Sequence, residues 1–325
     1  MKHKWFQLVT LSSALCIASA SWADTITWSG GSGNWNDDAS WGGTQPTSTD
    51  IAVLNIGSTI TVNLPGETAA RLNVSNGGSV EVEAGGALAL TGTGDTASYS
   101  LAGGNLLISG GAVTANAAQN NFINSGGSMS ITAGSFSTAG NTRFGDGGSG
   151  TLTVSGTGSY SGGQLRLSAS GTGNVSLTGS SATISGLSQI RADGGINNFN
   201  LTLGISGINA ISTTGNFILN GTSTLSLDLA AYDVATYGNQ VNLFAWGGTP
   251  TAEWDAVLIN GTGLGLISVG TPSSTSFTAG QVEGDFVVTA NSIFLDNLVV
   301  VPEPSALALL GVGLGLIAAA RRRIR

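Results

Sequence analysis

The chain has 325 residues, of which only 9% are charged and 51 are glycine, with a formal net charge of −8 at pH 7. All eighteen acidic residues lie between Asp24 and Glu303, where the only cations are Arg71, Arg143, Arg166 and Arg191; the resulting net charge of −14 repels phosphate backbones and argues against a nucleic-acid partner. The single Cys (Cys16), the single His (His3) and both lysines (Lys2, Lys4) fall in the first 23 residues, so a chain that loses this segment has no disulfide, no Ser-His-Asp or Cys-His chemistry, and no His- or Cys-ligated zinc.

That first segment reads as a leader. Lys2, His3 and Lys4 form a basic start, Leu8 to Ala20 is apolar with small hydroxyl residues, and Ser21-Trp22-Ala23 offers small side chains before Asp24. This order predicts a secretory signal peptide over residues 1–23, cleaved after Ala23. The apolar run is short for a membrane-spanning helix.

Residues 24–50 carry Trp28, Trp35 and Trp41 among glycines, serines and asparagines, followed by Pro46 and Asp50. An open stack of strands must hide its first edge, and the three indoles are suited to cover it. The competing expectation is a carbohydrate platform in which Trp28, Trp35 and Trp41 stack on sugar rings. The capping reading is favoured.

From about Ile51 to Leu229 the sequence repeats. Leu106, Met129, Leu152 and Val175 are successively 23 residues apart, and so are Ile108, Ile131, Val154 and Leu177. Gly110, Ala133, Gly156 and Gly179 follow in step, and a further apolar position recurs as Phe122, Phe144, Leu167 and Ile190. A bulkier residue falls between, at Val113, Phe136 and Tyr160. Pairs such as Leu152 and Val154 show the two-residue alternation of a half-buried strand. A flexible Gly-rich linker has no reason to keep four apolar columns in phase. The pattern predicts an all-β chain built as a right-handed parallel β-helix, with about 23 residues and three short strands per coil, the coils stacked about 4.8 Å apart. Leu72, Val74, Val80, Val82, Leu88 and Leu90 extend the coils upstream, and Phe199, Leu201 and Leu203 extend them downstream.

Two sets of polar residues on the coils invite a chemical reading. Glu81 and Glu83, two apart on one strand, place two carboxylates about 7 Å from each other, a spacing open to acid–base catalysis, to calcium or to plain solvation. Arg143 and Arg166 occupy matching positions, with Asn121 and Gln189 expected in the same column. Such a row lines the groove of a β-helical polysaccharide lyase, but no acids are expected to cluster there, so a solvated ladder is the favoured reading. No catalytic residue, metal or cofactor is assigned, and the chain is expected not to be an enzyme.

Residues 230–300 lose the period and keep longer alternating strands, as in Val241 to Trp246 and Phe286 to Val288, which fit a small β-domain or a C-terminal cap. Residues 301–325 then change character. Val301-Pro302-Glu303-Pro304 ends the β pattern, residues 305–320 are uncharged and apolar, and Arg321, Arg322, Arg323 and Arg325 close the sequence. The apolar run is near the lower limit for a transmembrane helix, and the arginines place its far end in the cytoplasm.

This Pro-Glu-Pro, short apolar helix and arginine cluster resembles the PEP-CTERM sorting signal. The resemblance implies a substrate of an exosortase-type membrane enzyme in a Gram-negative bacterium that makes exopolysaccharide, with Pro302, Glu303 and Pro304 as the recognition and processing site. It implies an exported body held at the periplasmic side of the inner membrane until the tail is cut, and then passed to the cell surface or an extracellular matrix. A permanent inner-membrane anchor is the alternative. The Trp- and Gly-rich opening and the coils also resemble autotransporter passenger repeats, although no barrel pattern follows them. The expectation that results is a non-enzymatic structural protein of the surface or biofilm matrix, with exopolysaccharide as a partner. A carbohydrate-binding surface protein, and after it a divergent polysaccharide lyase or glycosidase, are the alternatives.

Overall fold

Strands in the first coils are short because each must turn a corner after two inward residues. Ile51–Leu54, Thr59–Val62 and Glu67–Ala69 make one triangular coil, and in the first two the buried residues alternate with partly exposed ones. The next coil repeats the pattern with Arg71–Ser75, Ser79–Val82 and Ala87–Leu90, each paired in parallel with the strand 20 or 21 residues earlier. The structure is a computed structural model that describes residues 23–92, 97–116 and 120–301. It is all-β, a parallel β-solenoid of about eight turns, with Val234–Tyr237 its one α-helical turn among the described residues.

The two strict columns of the sequence are columns of the solenoid. Leu106, Met129, Leu152 and Val175 are register partners in successive coils, as are Ile108, Ile131, Val154 and Leu177, and all eight are buried. Val113, Phe136 and Tyr160 stack likewise on the third face, continued by Ile184. Upstream the same two columns run through Val80 and Val82 to Ile60 and Val62, and downstream through Phe199 and Leu201 to Leu225 and Leu227.

The remaining face departs from the sequence expectation. The inward column is Leu101, Ile123, Phe144, Leu167, Ala192 and Leu219, so Phe122 is displaced outward by one position and Ile190 belongs to the neighbouring inward column. That second column is Asn121, Thr142, Leu165, Ile190 and Phe217. Corner lengths on this side vary, so a fixed 23-residue step does not hold there. A one-residue slip in a strand reverses every side chain, which is why Phe122 and Asn121 exchange faces.

Asn121 is fully buried because its side chain replaces missing strand partners. Its Oδ1 accepts hydrogen bonds from the backbone N–H of Ser98 (2.8 Å) and Tyr99 (3.2 Å). Nearby, the hydroxyls of Tyr99 and Tyr160 both meet Thr142 Oγ1, at 2.6 and 2.8 Å. The Tyr99 and Tyr160 rings flank Phe136, one edge-on at 5.4 Å and one stacked at 5.5 Å. This cluster therefore satisfies its own hydroxyls internally, as buried hydroxyls require, whereas the buried Ser223 hydroxyl and Trp254 indole N–H have no hydrogen-bond partner.

At the first edge, Thr25–Thr27 pairs with Ile51–Leu54, and Gly33–Asn34 pairs with Thr59–Val62. The other end continues past Leu229 without a break in the core. Val241–Trp246 lies parallel to Ile211–Thr213, and Ala252–Ile259 lies parallel to Phe217–Asp228. Only then does the chain reverse, through Thr262–Val269 on one sheet and Ser273–Ala279, Val282–Val288 and Ser292–Val300 on the other, all antiparallel. One hydrophobic cluster runs from Trp28 to Leu298, with Phe199, Phe217, Phe244, Trp246 and Trp254 packed together where the parallel coils give way to the antiparallel cap.

Candidate functional site

The three opening tryptophans are spent on the fold. Trp28, Trp35 and Trp41 are 1%, 1% and 3% exposed, and Trp41 stands edge-on to both others, with ring centroids 5.0 and 5.1 Å apart. Trp28 Nε1 donates to Gly31 O (2.8 Å) and Trp41 Nε1 donates to Trp35 O (2.6 Å). The backbone N–H groups of Trp28 and Trp35 bond to Val53 O and Thr61 O of the first coil, which sets the indoles over its core. Indoles packed this way offer no open face to a sugar ring. The platform expectation for Trp28, Trp35 and Trp41 therefore has no support in this geometry, and the cluster covers the first edge.

Glu81 and Glu83 do not form a held pair. Glu81 is partly buried on Ser79–Val82 and accepts a hydrogen bond from Ser109 Oγ of the next coil (2.9 Å). Glu83 falls past the end of that strand, exposed, in a turn closed by Gly86 N–H on its carbonyl. Among the described residues no three His, Cys, Asp or Glu side chains come together as a metal set.

The arginine row is real but differs from expectation in its membership. Arg143, Arg166 and Arg191 are register partners in three consecutive coils, and Phe122 and Ile218 continue the same outward column. Asn121 lies inside, while Gln189 pairs with Gln164 in another outward column. Acids do meet this row. Arg143 Nη1 bonds to Asp146 Oδ2 (2.9 Å), and Asp146 Oδ1 accepts from the backbone N–H of Ala169 in the next coil (3.0 Å). Arg166 donates to Asp193 through Nε (3.1 Å) and Nη2, and Arg191 Nε donates to the other oxygen of the same carboxylate.

Burial works to raise the Asp193 carboxyl, but the hydrogen bonds and charges of Arg166 and Arg191 outweigh it and hold the group below the ordinary carboxylate range. A carboxylate so committed is a poor general base, and its arginines are poor anion hooks. The row is an electrostatic clasp between coils. Sequence reasoning missed the Arg166–Asp193 contact because Asp193 lies 27 residues beyond Arg166, further than one coil of the expected length.

The last described strand reaches the tail directly. Ser292–Val300 pairs with Val282–Val288, and Val301 N–H bonds to Gln281 O (2.8 Å). Pro302, Glu303, Pro304, the segment 305–320 and Arg321, Arg322, Arg323 and Arg325 lie outside the described residues, as do residues 1–22 of the signal peptide expected over residues 1–23. Among the described residues no helix is long and apolar enough to cross a membrane.

Residues 300–323 match the family model described as the PEP-CTERM protein-sorting motif. The chain thus carries the signal of exosortase-processed proteins, joined to a β-solenoid. No curated protein and no solved structure matches it.

Proposed function

We propose that this chain is a non-enzymatic structural rod of the bacterial surface or extracellular matrix, delivered there by its PEP-CTERM tail. The motif over residues 300–323 implies export, a transient membrane anchor and processing by an exosortase-type enzyme. The observation that carries the structural half is how the solenoid uses its chemistry. Trp28, Trp35 and Trp41 close one edge, and three of the four arginines among the described residues are paired with Asp146 or Asp193, carboxylates that bridge neighbouring coils through Ala169 N–H and Arg166.

The span between leader and motif, free of Cys, His and Lys, supports the same reading, since the usual nucleophiles and bases are missing. A stack of parallel coils with small polar outward residues is a stiff, acidic spacer, suited to life among exopolysaccharide, which we assign as its surroundings. The signal peptide over residues 1–23 and the helix over residues 305–320 belong to the same proposal.

Mass spectrometry of the C-terminal peptide, on protein recovered from the surface or medium of the host, tests the delivery half. The expected peptide ends near Pro302 to Pro304. Recovery of peptides that still contain Arg321 to Arg325 would replace sorting with a permanent inner-membrane anchor.

A further inference from the structure

The matched motif begins at residue 300, which is also the last residue of the strand Ser292–Val300. The processing signal therefore starts inside the folded cap. Val300 is the register partner of Val282, and Val299 that of Glu283. The Val301 N–H bond to Gln281 O and the Leu298 N–H bond to Asn239 O (3.1 Å) tie down the strand end, and the Leu298 side chain is buried.

The same strand contains a hinge. Asp285 pairs with Asp296 and Glu283 with Val299, so two residues, Asn297 and Leu298, stand opposite the single Gly284. That is a β-bulge, where pairing is interrupted. Asn297 takes a left-handed φ of 51° there, and its Nδ2 donates to Asp285 Oδ2 (2.8 Å). Residues 298–301 thus form a short paired unit separated from the rest of the strand by an irregular joint.

A protein-cutting enzyme must seat backbone on both sides of the bond it breaks. For the Val301–Pro302 bond, the N-terminal side consists of residues 299–301, which are paired in the cap, and a cut one or two residues further on still has Val301 within three residues of it. In the cut, one peptide C–N bond breaks, the acyl carbon passes to a nucleophile (water in the simplest case), and the leaving amine takes that nucleophile's proton. None of this proceeds while the segment is held in the sheet, because proteolysis of a closed segment follows the population of its open form.

We infer that residues 298–301 are a folding-dependent barrier to tail removal, peeling from Val282 and Glu283 at the Asn297 bulge before the processing enzyme can engage the chain. This rests on the sorting reading above and adds a regulatory step to it. A chain whose cap has not yet closed is cut quickly, and a folded precursor is cut at the rate set by strand opening.

The register supplies a direct test. The Val301 N–H bond to Gln281 O places Val282 and Val300 as a non-hydrogen-bonded antiparallel pair, with Cα atoms about 4.5 Å apart, within disulfide reach. Cys16, in the leader, is the sole cysteine, so a Val282→Cys, Val300→Cys double variant of the full chain has one clean pairing after export. Tail loss is followed over time in the host for wild type, for this lock, and for the lock with a Gly/Ser linker of about eight residues inserted between Val301 and Pro302.

The expected result is processing slowed about tenfold or more by the oxidised lock and restored both by reductant and by the linker. A lock with its disulfide verified that is processed as fast as wild type overturns the barrier. So does a lock that stays slow after both linker insertion and reduction. Wild type that never loses its tail overturns the sorting reading itself, and the barrier with it.

Discussion

Arg166 and Asp193 join consecutive coils of the solenoid, the guanidinium of one coil donating twice to the carboxylate of the next, with Arg191 gripping the same carboxylate from its own strand. Their side chains keep 17% and 14% of their exposure, so the contact is neither a solvated surface pair nor a dry buried one. In the first case little stability results, and in the second desolvation consumes most of the gain.

Asp193→Asn keeps the shape and removes the charge, leaving Arg166 and Arg191 adjacent in register with no shared counter-ion. The expected loss is about 1–2 kcal/mol at neutral pH, seen as a lower denaturant midpoint. Because the folded carboxyl is depressed, its contribution is complete above the unfolded value of about 3.9 and is lost as pH falls through the folded value. The gap between wild type and Asp193→Asn should therefore close on acidification and stay constant between about pH 5 and pH 8. A gap that widens in acid would contradict the clasp.

The tryptophan cap carries a different signature. Trp41→Ala removes the ring that meets both Trp28 and Trp35 edge-on, and with it an Nε1 donor to Trp35 O. The expected cost is about 3–5 kcal/mol, as for other buried aromatic truncations. Uncovering the first coil also exposes an unpaired edge, so the variant should form higher-order species in sedimentation velocity runs. Titration of wild type with neutral or acidic polysaccharide should leave tryptophan fluorescence unchanged. A saturable response lost in Trp41→Ala would restore the sugar-platform reading.

Much of this was legible in the residues, and the failures have a common cause. The columns from Leu106 to Val175 and from Ile108 to Leu177 were readable because the corners between those strands keep their length over four coils. The face containing Phe122 and Ile190 was not, since its corners gain and lose residues: Arg143 to Arg166 spans 23 positions and Arg166 to Arg191 spans 25. Asn121 reads as outward because it stands one residue before Phe122, as Arg143 stands before Phe144, whereas it faces inward and substitutes for strand hydrogen bonds at Ser98 and Tyr99. The closing segment reads as either a small β-domain or a C-terminal cap because its period ends, yet Val241–Trp246 and Ala252–Ile259 are still parallel to the coil before them. Period is a property of corner length, and pairing survives its loss.

The interior hydroxyl cluster gives the chain an alkaline limit. Burial pushes the Tyr99 phenol well above its ordinary value, with the nearby Tyr160 adding to it, against a smaller opposing effect from the Thr142 hydrogen bond. Tyr160 is raised in the same way, by burial first. A phenol whose folded value is raised stabilises the fold fully below the unfolded value of about 10, and loses that contribution as pH rises beyond it. Stability should thus fall steadily above about pH 10, and phenolate absorbance from Tyr99 and Tyr160 should appear only with unfolding. Thr142→Val leaves both hydroxyls without their partner and should cost about 1–3 kcal/mol for each, measured by denaturant titration.

Glycine at the corners separates two physical demands, which a pair of substitutions can tell apart. A Cβ at Gly127 would lie 2.0 Å from Leu101 O, and one at Gly150 would lie 2.0 Å from Ile123 O, each against the backbone of the preceding coil. Neither has a left-handed φ, so the whole penalty of Gly127→Ala or Gly150→Ala is steric, and it falls on a contact that cannot yield without parting two coils. Gly147 is the reverse case: φ is 73° and a Cβ there meets nothing within 4 Å. Gly147→Ala should cost only the conformational penalty of about 1–2 kcal/mol. Gly127→Ala and Gly150→Ala should cost more than this, with losses of amide-exchange protection centred on the strands Tyr99–Ala102 and Asn121–Asn124 that supply the opposing carbonyls. Equal costs at all three positions would mean that the coils part easily at their corners, and the close stacking that makes the solenoid a stiff rod would have to be abandoned.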